Sequence, residues 1–232
     1  MILDKVRQIR YRIAAAAQRA GRNPNEVALV AVTKYAELKK VRELLGTGEI
    51  REVAESRVQD AQARKAELGE QAAAVAWRLI GHLQTNKAKK ALDVFDAIDS
   101  LDSLKLAEAL EKLLAAQDRV LPVLVQVKLS GKETQSGVSP EAVEVLLEGL
   151  KAFPHLKARG LMAIAPDLEP VEAVRPHFKE MRRLFERNFS DVPGAQLSMG
   201  MSRDFEIAVE EGATHVRVGT SIFCDSTSTG RA

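Results

Sequence analysis

Cysteine occurs once in the 232 residues, at Cys224, which excludes an intramolecular disulfide and leaves too few thiolates for a cysteine-based zinc site. Aromatic side chains make up only 4%, too few for a platform on which single-stranded nucleic acid could stack, and a net charge of +2 offers no footprint for a polyanion. No apolar run reaches the length that spans a bilayer. His82, His155, His177 and His215 are scattered and show no H-x-x-x-H or H-E-x-x-H spacing, so no metal site is expected. The opening Met1-Ile-Leu-Asp-Lys-Val-Arg7 lacks the basic and apolar regions of a secretion signal, and a cytoplasmic location is expected. No linker rich in proline, glycine or serine divides the chain. A single domain over 1–224 is expected, with a polar tail over 225–232 expected to be disordered.

What is present is an ordinary globular mixture, 46% hydrophobic and 28% charged, with an alternating pattern. Ile2, Val6, Ile9, Ile13 and Ala16 recur at helical spacing, so an amphipathic helix precedes the first strand. Short apolar runs then fall near 27–34, 51–55, 76–82, 95–99, 121–129, 157–164, 195–200 and 214–218. Helical patterns separate them near 37–46, 57–70, 84–92, 103–117, 140–152, 171–188 and 203–211. Eight strands alternating with helices, at about 29 residues per unit, predict an α/β fold, a single (β/α)8 TIM-type barrel with an extra N-terminal helix. An open doubly wound sheet also accommodates the order, but no G-x-G-x-x-G follows the first strand to suit a dinucleotide.

Lys34 ends the run Val27-Ala-Leu-Val-Ala-Val-Thr-Lys34, where an apolar strand delivers an amine. Burial at such a place turns an ammonium into a nucleophile able to form a Schiff base. Strand parity puts Val30, Val32 and Lys34 on one face, and His215, Arg217 and Gly219 on one face of the last strand, with Val216 and Val218 outward. In a closed barrel the first and last strands are neighbours, so Lys34 and Arg217 are expected side by side. The competing role for Arg217 is a salt bridge to a carboxylate such as Glu55. Leu197-Ser-Met-Gly-Met-Ser-Arg-Asp204 and Gly219-Thr-Ser221 are two small, hydroxyl-bearing turns before helices, a pattern that suits a phosphate. Ser202 is the expected N-cap and first phosphate contact, although taken by itself it is read first as a cap and nothing more, and the nearby Asp204 would repel an anion unless turned away. Lys87, Lys89 and Lys90 form either a solvated helix face or a dock for an acidic protein.

Val32-Thr-Lys34, Trp77-Arg-Leu-Ile-Gly-His-Leu-Gln-Thr-Asn-Lys87, Ser136-Gly137, Gly160-Leu-Met-Ala-Ile164, the 197–204 turn and Val216-Arg-Val-Gly-Thr-Ser-Ile-Phe223 together resemble the pyridoxal phosphate homeostasis protein family. That family is similar in fold to the barrel domain of alanine racemase. The resemblance implies binding of pyridoxal 5′-phosphate as a Schiff base on Lys34, with its phosphate held by Ser202, Gly219 and Thr220. Arg217 would face the pyridine nitrogen, and Met199 and His82 would line the pocket. Ser56 stands where the family commonly has an asparagine near the ring, and Gln135 where it has a lysine. The implied function is to hold the cofactor and support its intracellular homeostasis without established turnover, as a monomer, with enzymes that use the cofactor as candidate acceptors.

The alternative is a cofactor-dependent amino-acid racemase or lyase. A racemase needs a second base, usually a tyrosine from a further β-rich domain, and the only tyrosines here are Tyr11 and Tyr35. A cofactor-free Schiff-base aldolase or isomerase on a phosphorylated sugar would use the same lysine and turns.

Overall fold

The computed structural model describes residues 1–129 and 136–224; Thr134, Gln135 and the tail from Asp225 to Ala232 lie outside the described residues. Eight parallel strands close into a barrel: β1 (Ala28–Val32), β2 (Glu52–Glu55), β3 (Ala76–Leu79), β4 (Ala97–Leu101), β5 (Leu121–Lys128), β6 (Leu156–Ile164), β7 (Gln196–Ser198) and β8 (His215–Val218). Closure is made by β8 pairing with β1, with His215 opposite Ala28 and Arg217 opposite Val30. The helices are α1 (Ile2–Arg19), α2 (Leu38–Gly46), α3 (Val58–Leu68), α4 (Ala88–Val94), α5 (Leu104–Ala115), α6 (Val143–Leu150), α7 (Arg175–Phe189), α8 (Phe205–Glu210) and α9 (Thr220–Phe223). Each expected strand and helix is found, with ends that differ for local reasons. β4 starts two residues later than its apolar run, because Phe95 closes α4 and the Asp96 carboxylate accepts the Trp77 N–H at 2.8 Å.

Outward positions of the strands meet the helices in a continuous apolar layer, and Val216 and Val218 belong to it. The leading helix α1 buries Ile2, Val6, Ile9, Ile13, Ala16 and Ala17, the face its spacing predicts. Each fully buried aliphatic side chain there contributes about 1.5–3 kcal/mol. That helix packs against α8, where Arg12 meets Glu206 and Arg19 meets Glu210, both at 2.7 Å.

The barrel interior carries a polar layer. Arg78 donates to both oxygens of Asp99 at 2.8 and 2.9 Å, to Glu52 at 3.3 Å and to Gln196 at 2.6 Å. His215 Nε2 lies 3.7 Å from Glu52 Oε2. Burial, aided by Arg78 and Arg217, pulls the His215 imidazole down to about 3, so it is neutral in the folded protein.

Candidate functional site

The C-terminal ends of β1, β2, β3, β6, β7 and β8 lead into one cavity of about 570 Å3, within the size range of small-molecule sites. Lys34, Ser56, Ser202, Arg217, Gly219 and Thr220 all line it. Six of the eight expected site residues therefore share one space. Met199 is fully buried in the apolar layer, and it is not part of the lining. His82 also lies off the cavity: its neighbours Ile80 and Gly81 line the wall, whereas its half-exposed ring turns to Asp102 at 3.4 Å.

Lys34 departs from its expected setting. β1 stops at Val32, and Lys34 sits in a turn with its side chain exposed, its Nζ 5.1 Å from the centre of the Tyr35 ring. Arg217 is register partner to Val30, four residues before Lys34, so the two cations are stepped along the barrel axis rather than side by side. The lysine is at the rim and the arginine at the floor. Gly81 and Gly219 form close wall contacts that no side chain permits: a Cβ would lie 2.1 Å from the Ser56 carbonyl oxygen at the first and 2.9 Å from the Val32 carbonyl oxygen at the second.

Ser202 is not the helix cap. α8 begins at Phe205 with Asp204 at its N-cap position, and the Asp204 carboxylate accepts the Met201 N–H at 2.6 Å. Burial pushes that carboxyl up, against the pull of the Met201 N–H and of Arg217. The Ser202 hydroxyl accepts from the Ser221 N–H at 3.4 Å, which brings the two small turns together beside the first turn of α9. Ser202, Gly219 and Thr220 gather at this junction and line the cavity, where their hydroxyls and backbone suit an anion.

Arg217 is 3% exposed, and it donates to the Ser198 hydroxyl and to the Ala163 carbonyl, both at 2.7 Å. Glu55, its candidate partner from sequence, is engaged elsewhere with Thr33 and Arg64. Burial pulls the guanidinium down to about 10, with Asp99 and Asp204 opposing and Arg78 adding to the fall, so it stays cationic at neutral pH. Two acceptors among the described residues do not use all of its N–H groups, and a cation so placed at a cavity floor favours a ligand atom that accepts a hydrogen bond.

The sequence matches the alanine racemase, N-terminal domain, family over residues 5–227. It is 38% identical over 223 residues to the pyridoxal phosphate homeostasis protein of Aquifex aeolicus, covering 95% of this chain and 96% of that one. The chain belongs to the pyridoxal phosphate homeostasis protein family. Among solved structures, an unknown protein from Bifidobacterium adolescentis superimposes with a TM-score of 0.87 at 33% identity, covering 96% of this chain and 94% of that one. PipY of Synechococcus elongatus PCC7942, solved with PLP bound, gives 0.76 at 36% identity, covering 91% of this chain and 99% of that one.

Residues inside the quoted motifs that were given no role from sequence also shape the site. Ile80 and Ile164 line its walls, and strand parity is the signal for both: Ile80 follows Arg78 by two, and Ile164 follows Met162 by two. Arg203 lines the mouth and is held between Asp167 and Glu169 from the loop after β6. No sequence signal pointed to that link. Among the described residues no cluster of His, Cys, Asp and Glu could hold a metal, and no helix is long and apolar enough to cross a membrane.

Proposed function

We propose that this chain binds pyridoxal 5′-phosphate reversibly through a Schiff base to Lys34 and supports homeostasis of that cofactor in the cytoplasm rather than turning over a substrate. The carrying observation is the shared cavity: an amine at the rim, a cation at the floor, and a hydroxyl-lined junction of two turns. Ser202, Gly219 and Thr220 would receive the phosphate, Ser56 and the Ile80 and Ile164 walls the ring, and Arg217 the pyridine nitrogen. Met199, inside the apolar layer, would act only by packing, and His82 would sit beside the mouth. When bound, the cofactor supplies an aldehyde for the amine and an electron-withdrawing ring. The Lys34 amine would add to that aldehyde carbon, giving a C=N bond with loss of one water.

Arg217 argues for holding over catalysis. A guanidinium facing the ring nitrogen would disfavour its protonation, so the ring would stay neutral and be a weaker sink for electrons from an amino-acid carbanion. A racemase or lyase reading draws on Tyr35, whose exposed phenol lines the same cavity. Exchange of the α-proton of amino acids in deuterated solvent separates the two, since exchange requires a carbanion. For the main proposal, protein supplied with pyridoxal 5′-phosphate is expected to gain visible absorbance that Lys34→Ala abolishes. An unchanged spectrum in that variant refutes it.

A further inference from the structure

The turn carrying Lys34 is anchored on both sides by one buried ion pair. Before it, the Thr33 hydroxyl donates to Glu55 Oε1 at 2.6 Å. After it, the Ala36 carbonyl accepts from Arg64 Nη1 at 3.0 Å. The anchors are joined, because Arg64 Nε donates to the same Glu55 oxygen at 3.0 Å. Within the turn the Ala36 N–H closes onto the Thr33 carbonyl at 2.9 Å. Thr33 and Glu55 are 0% exposed and the Arg64 side chain 14%, so the anchor is mostly out of water while the amine it carries is exposed.

Burying Glu55 has a cost. Its second oxygen is buried with no hydrogen-bond partner among the described residues, and burial pushes its carboxyl up despite Thr33 and Arg64. Packing alone would be served better by an apolar residue of similar volume. What the carboxylate adds is a fixed point shared by β2, α3 and the Lys34 turn. A lysine side chain has four rotatable carbons, and fixing its root limits the volume its amine searches, which raises the chance of meeting an aldehyde in the cavity.

We infer that Glu55 and Arg64 are positioning residues that hold the Thr33–Ala36 turn so that the Lys34 amine reaches the cofactor aldehyde. This rests on Lys34 being the attachment point. The test uses the full chain with pyridoxal 5′-phosphate and with pyridoxine 5′-phosphate, which lacks the aldehyde. In Arg64→Ala, Schiff-base formation is expected to slow about tenfold and amide exchange at Ala36 to speed up about tenfold, while affinity for pyridoxine 5′-phosphate stays within about twofold. Arg64→Lys and Thr33→Ser, which keep a donor at each anchor, recover most of the rate, whereas Thr33→Val behaves like Arg64→Ala. Unchanged formation rates in Arg64→Ala and Thr33→Val, or an equal loss of affinity for both ligands, overturn the positioning role while leaving Lys34 as the attachment point. A wild-type chain that forms no Schiff base removes both.

Discussion

Arg78 and Arg217 are both buried inside the barrel, yet Arg78 is wrapped by the carboxylates of Asp99 and Glu52, whereas the partners of Arg217 among the described residues are a hydroxyl and a carbonyl. The first arrangement neutralises a charge within the fold and leaves it nothing to offer. The second keeps a cation at a cavity floor whose hydrogen-bonding capacity is not used up. Buried ion pairs and functional cations look alike in sequence, and only the register that sets their neighbours tells them apart.

That contrast breaks first under substitution. Arg78→Met strands the buried Asp99 carboxylate and the partly buried Glu52 carboxylate, and a loss of about 3–5 kcal/mol in urea unfolding is expected. Among the described residues Arg217→Met strands no ion-pair partner in direct contact, leaving the Ser198 hydroxyl and the Ala163 carbonyl unpaired and removing the weaker pull on Asp204, so a loss of about 1–3 kcal/mol is expected. Equal losses would erase the distinction between the two arginines.

His215 sharpens it next. Facing it are Arg78 and Arg217 in the interior, Glu52 Oε2 at 3.7 Å, and the Thr214 hydroxyl at 2.9 Å from Nδ1. Folded, the imidazole is pulled from 6.5 to about 3. Between those values the unfolded chain binds a proton that the folded one refuses. The stability it confers is therefore complete above the unfolded value and is lost as pH falls through the window. Urea unfolding of the wild type is expected to weaken between pH 7 and 5, with a smaller decline in His215→Gln.

The smallest effect belongs to the anion side. Ser202→Ala is expected to weaken pyridoxal 5′-phosphate binding about tenfold with little change in unfolding, as removal of one hydrogen-bonding hydroxyl implies. Inorganic phosphate should compete less well in that variant.

The barrel was legible because its strands differ so plainly from its helices in apolar period: the run that became β1 and the spaced leucines of α5 leave little choice. The inward turn of Arg217 followed from parity alone. Local backbone detail was not legible. Nothing in Thr33-Lys-Tyr35 announces a turn, since neither glycine nor proline occurs there, so Lys34 read as strand and as buried. The cap position at Asp204 was hidden by Ser202, an equally good capping residue two places earlier. Met199 and His82 came from motif alone, and the cavity wall passes each of them by. The Glu55–Arg64 anchor joins residues nine apart through a buried contact that no period encodes.

Borohydride reduction of the protein mixed with pyridoxal 5′-phosphate, followed by peptide mass mapping, tests directly whether the rim amine is the attachment point. A phosphopyridoxyl mass on the peptide containing Lys34 is the expected result. The same mass confined to another lysine, or none at saturating cofactor, would contradict it.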